Sequence, residues 1–308
     1  MAKIYSVCNQ KGGVGKTTTA VNIAAFLASN AGPTLLIDLD PQGNATSASG
    51  IAKDQVNVSV YEVLVDNIPA ASIVKETRID RLHVLPSNTS LAGAEVELVS
   101  EIAREYKLRE ALMEVRELYD YIIIDTPPSL SLLTINALAA TDEVLIPIQC
   151  EYFALEGLSQ LLKTIDLVRV NLHPELKIGG IIFTMYDSRL ILNNEVMEEV
   201  KEHFPALVFE NTIPRNVRLS EAPSHGMPIL FYDPTSTGSL AYEKLTNELL
   251  AREKKPGEEL FESAEEINTE PISEASYQQE YQPTDREFKE EAQCQQAQNA
   301  DLAGALEH

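Results

Sequence analysis

Cationic side chains are scarce in this sequence: 24 lysines and arginines stand against 47 aspartates and glutamates in 308 residues, a formal net charge of −23. Bulk charge of that sign repels nucleic acid and anionic lipid alike, so contact with either has to be made by a local patch. Cysteine is nearly absent. Cys8, Cys150 and Cys294 have no metal-ligand spacing, and their odd number without a secretory h-region points to reduced thiols in a cytoplasm. Cys8 and Cys150 fall inside apolar runs, as small core residues do. No run of 18 or more apolar residues occurs, which excludes a membrane-spanning helix. There is no internal repeat.

The charge that is present is uneven. Arg252 to His308 hold 15 acidic and 5 basic residues, a net of −10, which leaves −13 for residues 1–251. That last stretch is rich in Glu, Gln, Ser and Ala and almost free of branched aliphatics, so it reads as a disordered or loosely helical acidic tail. Leu306-Glu307-His308 reads as the remnant of a tag junction. A folded domain is therefore expected over 1–251 and a tail over 252–308.

Within the domain, runs rich in Val, Ile and Leu predict strands at 3–8, 34–38, 82–85, 121–125, 143–149, 178–183 and 207–213. Amphipathic stretches between them predict helices at 16–29, 95–118, 154–171, 191–203 and 235–252. This alternation implies an α/β fold, a doubly wound and mostly parallel sheet with helices on both faces, which binds ligands at the carboxyl ends of its strands.

The motifs fall at those ends. The first strand runs into Lys11-Gly12-Gly13-Val14-Gly15-Lys16-Thr17-Thr18, a glycine-rich loop opening a helix. Its backbone N–H groups can face phosphate oxygens, Lys16 can reach the outer phosphates, and the Thr17 hydroxyl is placed for Mg²⁺. The second strand ends in Asp38-Leu39-Asp40-Pro41, two carboxylates on one side of the chain. Ile122-Ile123-Ile124-Asp125 is a Walker B pattern, its Asp125 positioned to hold a Mg²⁺ water opposite Thr17, and Thr126-Pro127-Pro128-Ser129 continues it as a stiff loop. Further on stands Pro214-Arg215-Asn216-Val217-Arg218-Leu219-Ser220-Glu221-Ala222-Pro223.

The loop departs from the usual P-loop by placing Gln10 where the first glycine belongs and adding a second lysine, Lys11. It resembles the deviant Walker A of the ParA/MinD ATPases, and with the Pro-Arg-Asn segment the chain resembles the short Soj-like ParA type over about residues 1–250. That type lacks an N-terminal DNA-reading domain, in keeping with a P-loop that begins at residue 11. The resemblance implies a weak ATPase using ATP and Mg²⁺ that forms an ATP-dependent homodimer, with Lys11 crossing to the partner's phosphates. It assigns Asp40 to the attacking water and Asp38 to a Mg²⁺-bound water. Pro214, Arg215 and Asn216 are assigned to the adenine, with Met185 covering its other side.

Non-sequence-specific binding to double-stranded DNA and stimulation by a ParB-like protein are implied as well, with a cytoplasmic, nucleoid-associated location and no membrane. For DNA the resemblance assigns Arg189 and Arg218; composition alone favours reading them as solvated surface arginines or as partners of Glu195 and Glu221. A MinD-like membrane-cycling regulator is the alternative, but it needs a basic amphipathic C-terminal helix where this chain is acidic. A cluster-carrying, nitrogenase-reductase-like relative would need paired interface cysteines. The acidic segment 256–305 either competes with DNA for the arginines or is solvated and aids solubility.

Overall fold

The computed structural model describes residues 1–253, so the predicted acidic tail lies almost wholly outside the described residues. Seven strands form one sheet: β1 (Lys3–Val7), β2 (Thr34–Asp38), β3 (Lys75–Glu76), β4 (Leu82–Leu85), β5 (Tyr121–Asp125), β6 (Glu143–Gln149) and β7 (Lys177–Thr184). Their order is β3-β4-β2-β5-β1-β6-β7, and every pairing is parallel except the two-residue edge β3 against β4. The central strands are rich in Ile, Leu and Val because both of their faces are covered. One face packs under the helices Lys16–Asn30 and Thr237–Glu253, the other under Val60–Leu64, Lys107–Leu112 and Leu132–Ala140. The register sets Asp38 directly beside Asp125, and Val7 beside Asp125 on its other side. Three motif-bearing strand ends are thus neighbours.

The predicted strand at 207–213 is not a strand. Val208 makes a single parallel bridge to Ile181 and Pro214 another to Tyr186. Between them the Glu248 carboxylate accepts the N–H groups of Glu210 at 2.9 Å and Asn211 at 3.1 Å, taking donors a ladder would need. The predicted helix 95–118 is broken into Leu91–Glu97, two 3₁₀ turns and Lys107–Leu112. The cause is Asn136, wholly buried: its Oδ1 accepts from Leu108 N at 3.1 Å and its Nδ2 donates to Arg104 O at 2.8 Å, occupying both halves of one helical hydrogen bond. The helix Leu132–Ala140 escapes a periodicity reading because it is apolar nearly all round.

One backbone contact ties the second strand's loop to the Pro-Arg-Asn segment. Gly50 (φ +85°) and Gly226 (φ +62°) lie back to back, and a Cβ on Gly226 would sit 2.9 Å from Gly50 Cα. Gly226→Ala is expected to cost about 1–3 kcal/mol of stability, from the left-handed backbone plus that clash. Urea unfolding checks this, and an unchanged midpoint contradicts it.

Candidate active site

The helix Lys16–Asn30 begins on Gly15 in the left-handed conformation, with no side chain capping its first turn. Gly13 is also left-handed, at φ +77°. The N–H groups at this helix start are therefore left for an external anion. Two residues outside the motif hold the loop in shape. Asn9 donates to Pro147 O at 2.8 Å and accepts from Lys11 N at 2.9 Å. Thr184, at the end of β7, donates to Val14 O at 2.8 Å and packs against Gly15. Gly12 has open space on its Cβ side.

Lys16 is 7% exposed and donates to Lys11 O at 2.9 Å, folded over the loop. Burial lowers its pKa, while Asp125, Cys8 and Asp40 oppose the shift. Asp125 is wholly buried, and neither of its oxygens has a hydrogen-bond partner. Burial and then the Asp38 charge push its pKa well up, with the Thr17 hydroxyl and Lys16 pulling the other way. Asp38 is raised to about 6, chiefly by burial, against hydrogen bonds from Thr46 and Asp40 N. A buried, unpartnered carboxylate beside a second carboxylate and a threonine hydroxyl suits a hard divalent cation that keeps most of its waters. Asp40 is 8% exposed, its Oδ1 accepting from Gln42 N at 2.9 Å. Thr17 and Thr18 line a cavity of about 460 Å³ whose other walls are the helix Asn44–Ala48 and residues of the 219–228 segment.

The segments meant for the adenine also meet. Tyr186 N donates to Ile213 O at 3.0 Å, which sets Met185, left-handed at φ +51°, near Pro214. Asn216 instead caps the helix Val217–Glu221: its Oδ1 accepts from Leu219 N at 3.3 Å and its Nδ2 donates to Thr237 Oγ1 at 2.7 Å. Arg215 is exposed.

The family model described as an AAA domain matches residues 2–178. The sporulation initiation inhibitor protein Soj of Bacillus subtilis (strain 168) is 56% identical over 251 residues, covering 82% of this chain and 99% of that one. The chain belongs to the Soj/ParA family of chromosome-partitioning ATPases. The chromosome-partitioning ATPase Soj of Treponema pallidum (strain Nichols) is 50% identical over 253 residues, covering 82% of this chain and 99% of its own. A solved Mycobacterium smegmatis structure, named as a cobyrinic acid a,c-diamide synthase with bound ADP and magnesium, is 38% identical with a TM-score of 0.73, covering 83% of this chain and 96% of that one. Its name speaks of another reaction. The higher identity to the Soj relatives favours partitioning, and it also favours partitioning over MinD-like membrane cycling.

In this Soj/ParA chain the two candidate DNA arginines are held by acids. Arg189, its side chain 86% exposed, pairs with Asp187 at 2.6 Å rather than with Glu195. Arg218 pairs with Glu221 at 2.9 Å and Asp233 at 3.4 Å. Lys11 pairs with Glu151, which follows β6 and carried no signal in the sequence. All three pairs are solvent-accessible, and such pairs exchange readily for a stronger anion.

Proposed function

We propose that this chain is an ATP-gated dimer: MgATP joins two copies, the dimer binds DNA without sequence preference, and hydrolysis releases it. The observation that carries the reading is the unpartnered Asp125 carboxylate, buried beside Asp38 and among the groups that shift Lys16. The loop N–H groups and Lys16 hold the phosphates. Thr17, with Asp38 and Asp125 through waters, would hold Mg²⁺, which when bound neutralises phosphate charge. Asp40 orients the attacking water. Met185 and Pro214 flank the adenine, and because the Asn216 side chain is engaged as a cap, its base edge falls to the backbone around Arg215 and Asn216.

Lys11 leaves Glu151 for the partner copy's phosphates, so ATP becomes part of the dimer interface. Dimerisation doubles the Arg189 and Arg218 patch and hence the phosphate contacts, which lets ATP control DNA binding despite the net charge. A ParB-like partner supplies the stimulus to hydrolysis, and DNA binding makes the protein cytoplasmic and nucleoid-associated.

Alone, the chain should turn over slowly, because the site's own cations, Lys16 and Lys11, neutralise charge and the loops that follow β1, β2 and β5 carry no arginine. Steady-state phosphate release without DNA or partner is expected below about 1 s⁻¹; a rate in the range of roughly 1–100 s⁻¹ seen in protein kinases would contradict it. The reading as a whole is tested by sedimentation of the full chain with ATP, with ADP and with no nucleotide. A dimer confined to the ATP sample supports it, and a nucleotide-independent state counts against it.

A further inference from the structure

Asp38 is gripped by a residue outside every motif. Its Oδ2 accepts twice from Thr46, from the backbone N–H at 2.7 Å and from the hydroxyl at 2.7 Å, while its Oδ1 accepts from Asp40 N at 3.2 Å. The Thr46 hydroxyl in turn accepts from Ser87 N at 3.0 Å, just past β4, so both its proton and its lone pair are committed. All of this is buried: Asp38, Thr46 and Ser87 are each 0% exposed. The two bonds from Thr46 do different things. The N–H lies in the first turn of the helix Asn44–Ala48, whose N-cap Gly43 has no side chain, and Asp38 Oδ2 satisfies it. The hydroxyl adds nothing to capping; together with Thr46 N on Oδ2 and Asp40 N on Oδ1 it restricts the rotation of the carboxylate.

That rotation matters because Asp38 faces Asp125 across β2 and β5, and two buried carboxylates repel. Free to turn, the Asp38 carboxylate would swing away from Asp125. Held by two donors on Oδ2 and one on Oδ1, it keeps a set orientation. We propose that Thr46 is a positioning residue for ATP hydrolysis, its hydroxyl relaying the Ser87 loop to the Asp38 carboxylate so that Asp38 is held ready for the cation. This rests on the assignment of Asp38 given above.

Thr46→Val keeps the capping N–H and the side-chain shape, and Thr46→Ser keeps the hydroxyl. For both, kcat and KM for ATP are measured, with the Mg²⁺ concentration that gives half-maximal ATP-dependent dimer in gel filtration. Asp38→Asn serves as the control, and a thermal melt verifies folding. For Thr46→Val the expected results are a Mg²⁺ half-point or a kcat impaired about 10–100-fold, the usual effect of losing a partner of a metal-holding carboxylate. KM should move far less, and Thr46→Ser should recover most of the loss. Wild-type kcat and Mg²⁺ half-point in Thr46→Val, beside an impaired Asp38→Asn, overturn the role of Thr46 and leave the site reading intact. Equal impairment of Thr46→Val and Thr46→Ser also overturns it, since the loss would then be one of packing. An unimpaired Asp38→Asn overturns both.

Discussion

Asp40→Ala is expected to collect as a long-lived ATP dimer, and Lys11→Ala to bind ATP yet stay monomeric. Removing Asp40 leaves the water without an orienting carboxylate, which typically lowers turnover about 10²–10⁴-fold, while both lysines still hold the phosphates. Lys11 has the opposite effect. In the single chain it pairs with Glu151, and both side chains are part-exposed, 38% and 44%. Such a pair is worth about 0–1 kcal/mol, so little is lost when Lys11 leaves it. A hydrogen bond from its ammonium to a phosphate at a water-poor interface is worth about 1.5–3 kcal/mol, and two-fold symmetry counts it twice. Losing both weakens dimerisation by about 3–6 kcal/mol, or roughly 10²–10⁴-fold. Gel filtration with ATP compares the two variants. Identical elution profiles would rule out a lysine acting in trans.

Lys16→Ala should lose nucleotide binding itself. Lys16 is buried over the loop, and its charge is held by Asp125 and Asp40 against the cost of burial. The substitution removes a cation that can bond to more than one phosphate oxygen, about 3 kcal/mol or more and so at least about 100-fold in affinity. It also leaves Asp38 and Asp125 buried side by side without the Lys16 charge, so the anion would meet a more negative site. Binding of a fluorescent ATP analogue measures this. Retained affinity together with retained hydrolysis would remove the P-loop assignment.

Much of this architecture is legible in the residues. The six longer strands announce themselves because strands buried on both faces must be apolar throughout, and the motifs that follow β1, β2 and β5 lie where a parallel sheet gathers its strand ends. What the sequence conceals depends on contacts distant along the chain. Asn136 breaks the 95–118 helix from elsewhere in the sequence, and Glu248 prevents an eighth strand by taking the N–H groups of residues 210 and 211. The short edge β3 has no room for a pattern.

The site divides in the same way. Lys16, Thr17, Asp38, Asp40 and Asp125, the residues proposed for phosphate and metal, are readable because such chemistry fixes residue types at fixed offsets. Thr184 holds Val14, Glu151 pairs with Lys11 and Thr46 grips Asp38 through side chains whose types are common everywhere, and only the folded chain brings them together. Asn216 shows the reverse case: a motif residue whose side chain is used as a helix cap.

In the proposed cycle ATP makes the dimer and the dimer binds DNA. It is tested most directly by gel filtration of Asp40→Ala with and without ATP, followed by the binding of each fraction to non-specific duplex DNA over a salt series. The expected result is a dimer in ATP alone, binding DNA with an affinity that falls steeply as salt rises, and a monomer fraction that binds far more weakly. Equal DNA binding by monomer and dimer, or an ATP dimer that leaves DNA unbound at low salt, would contradict it.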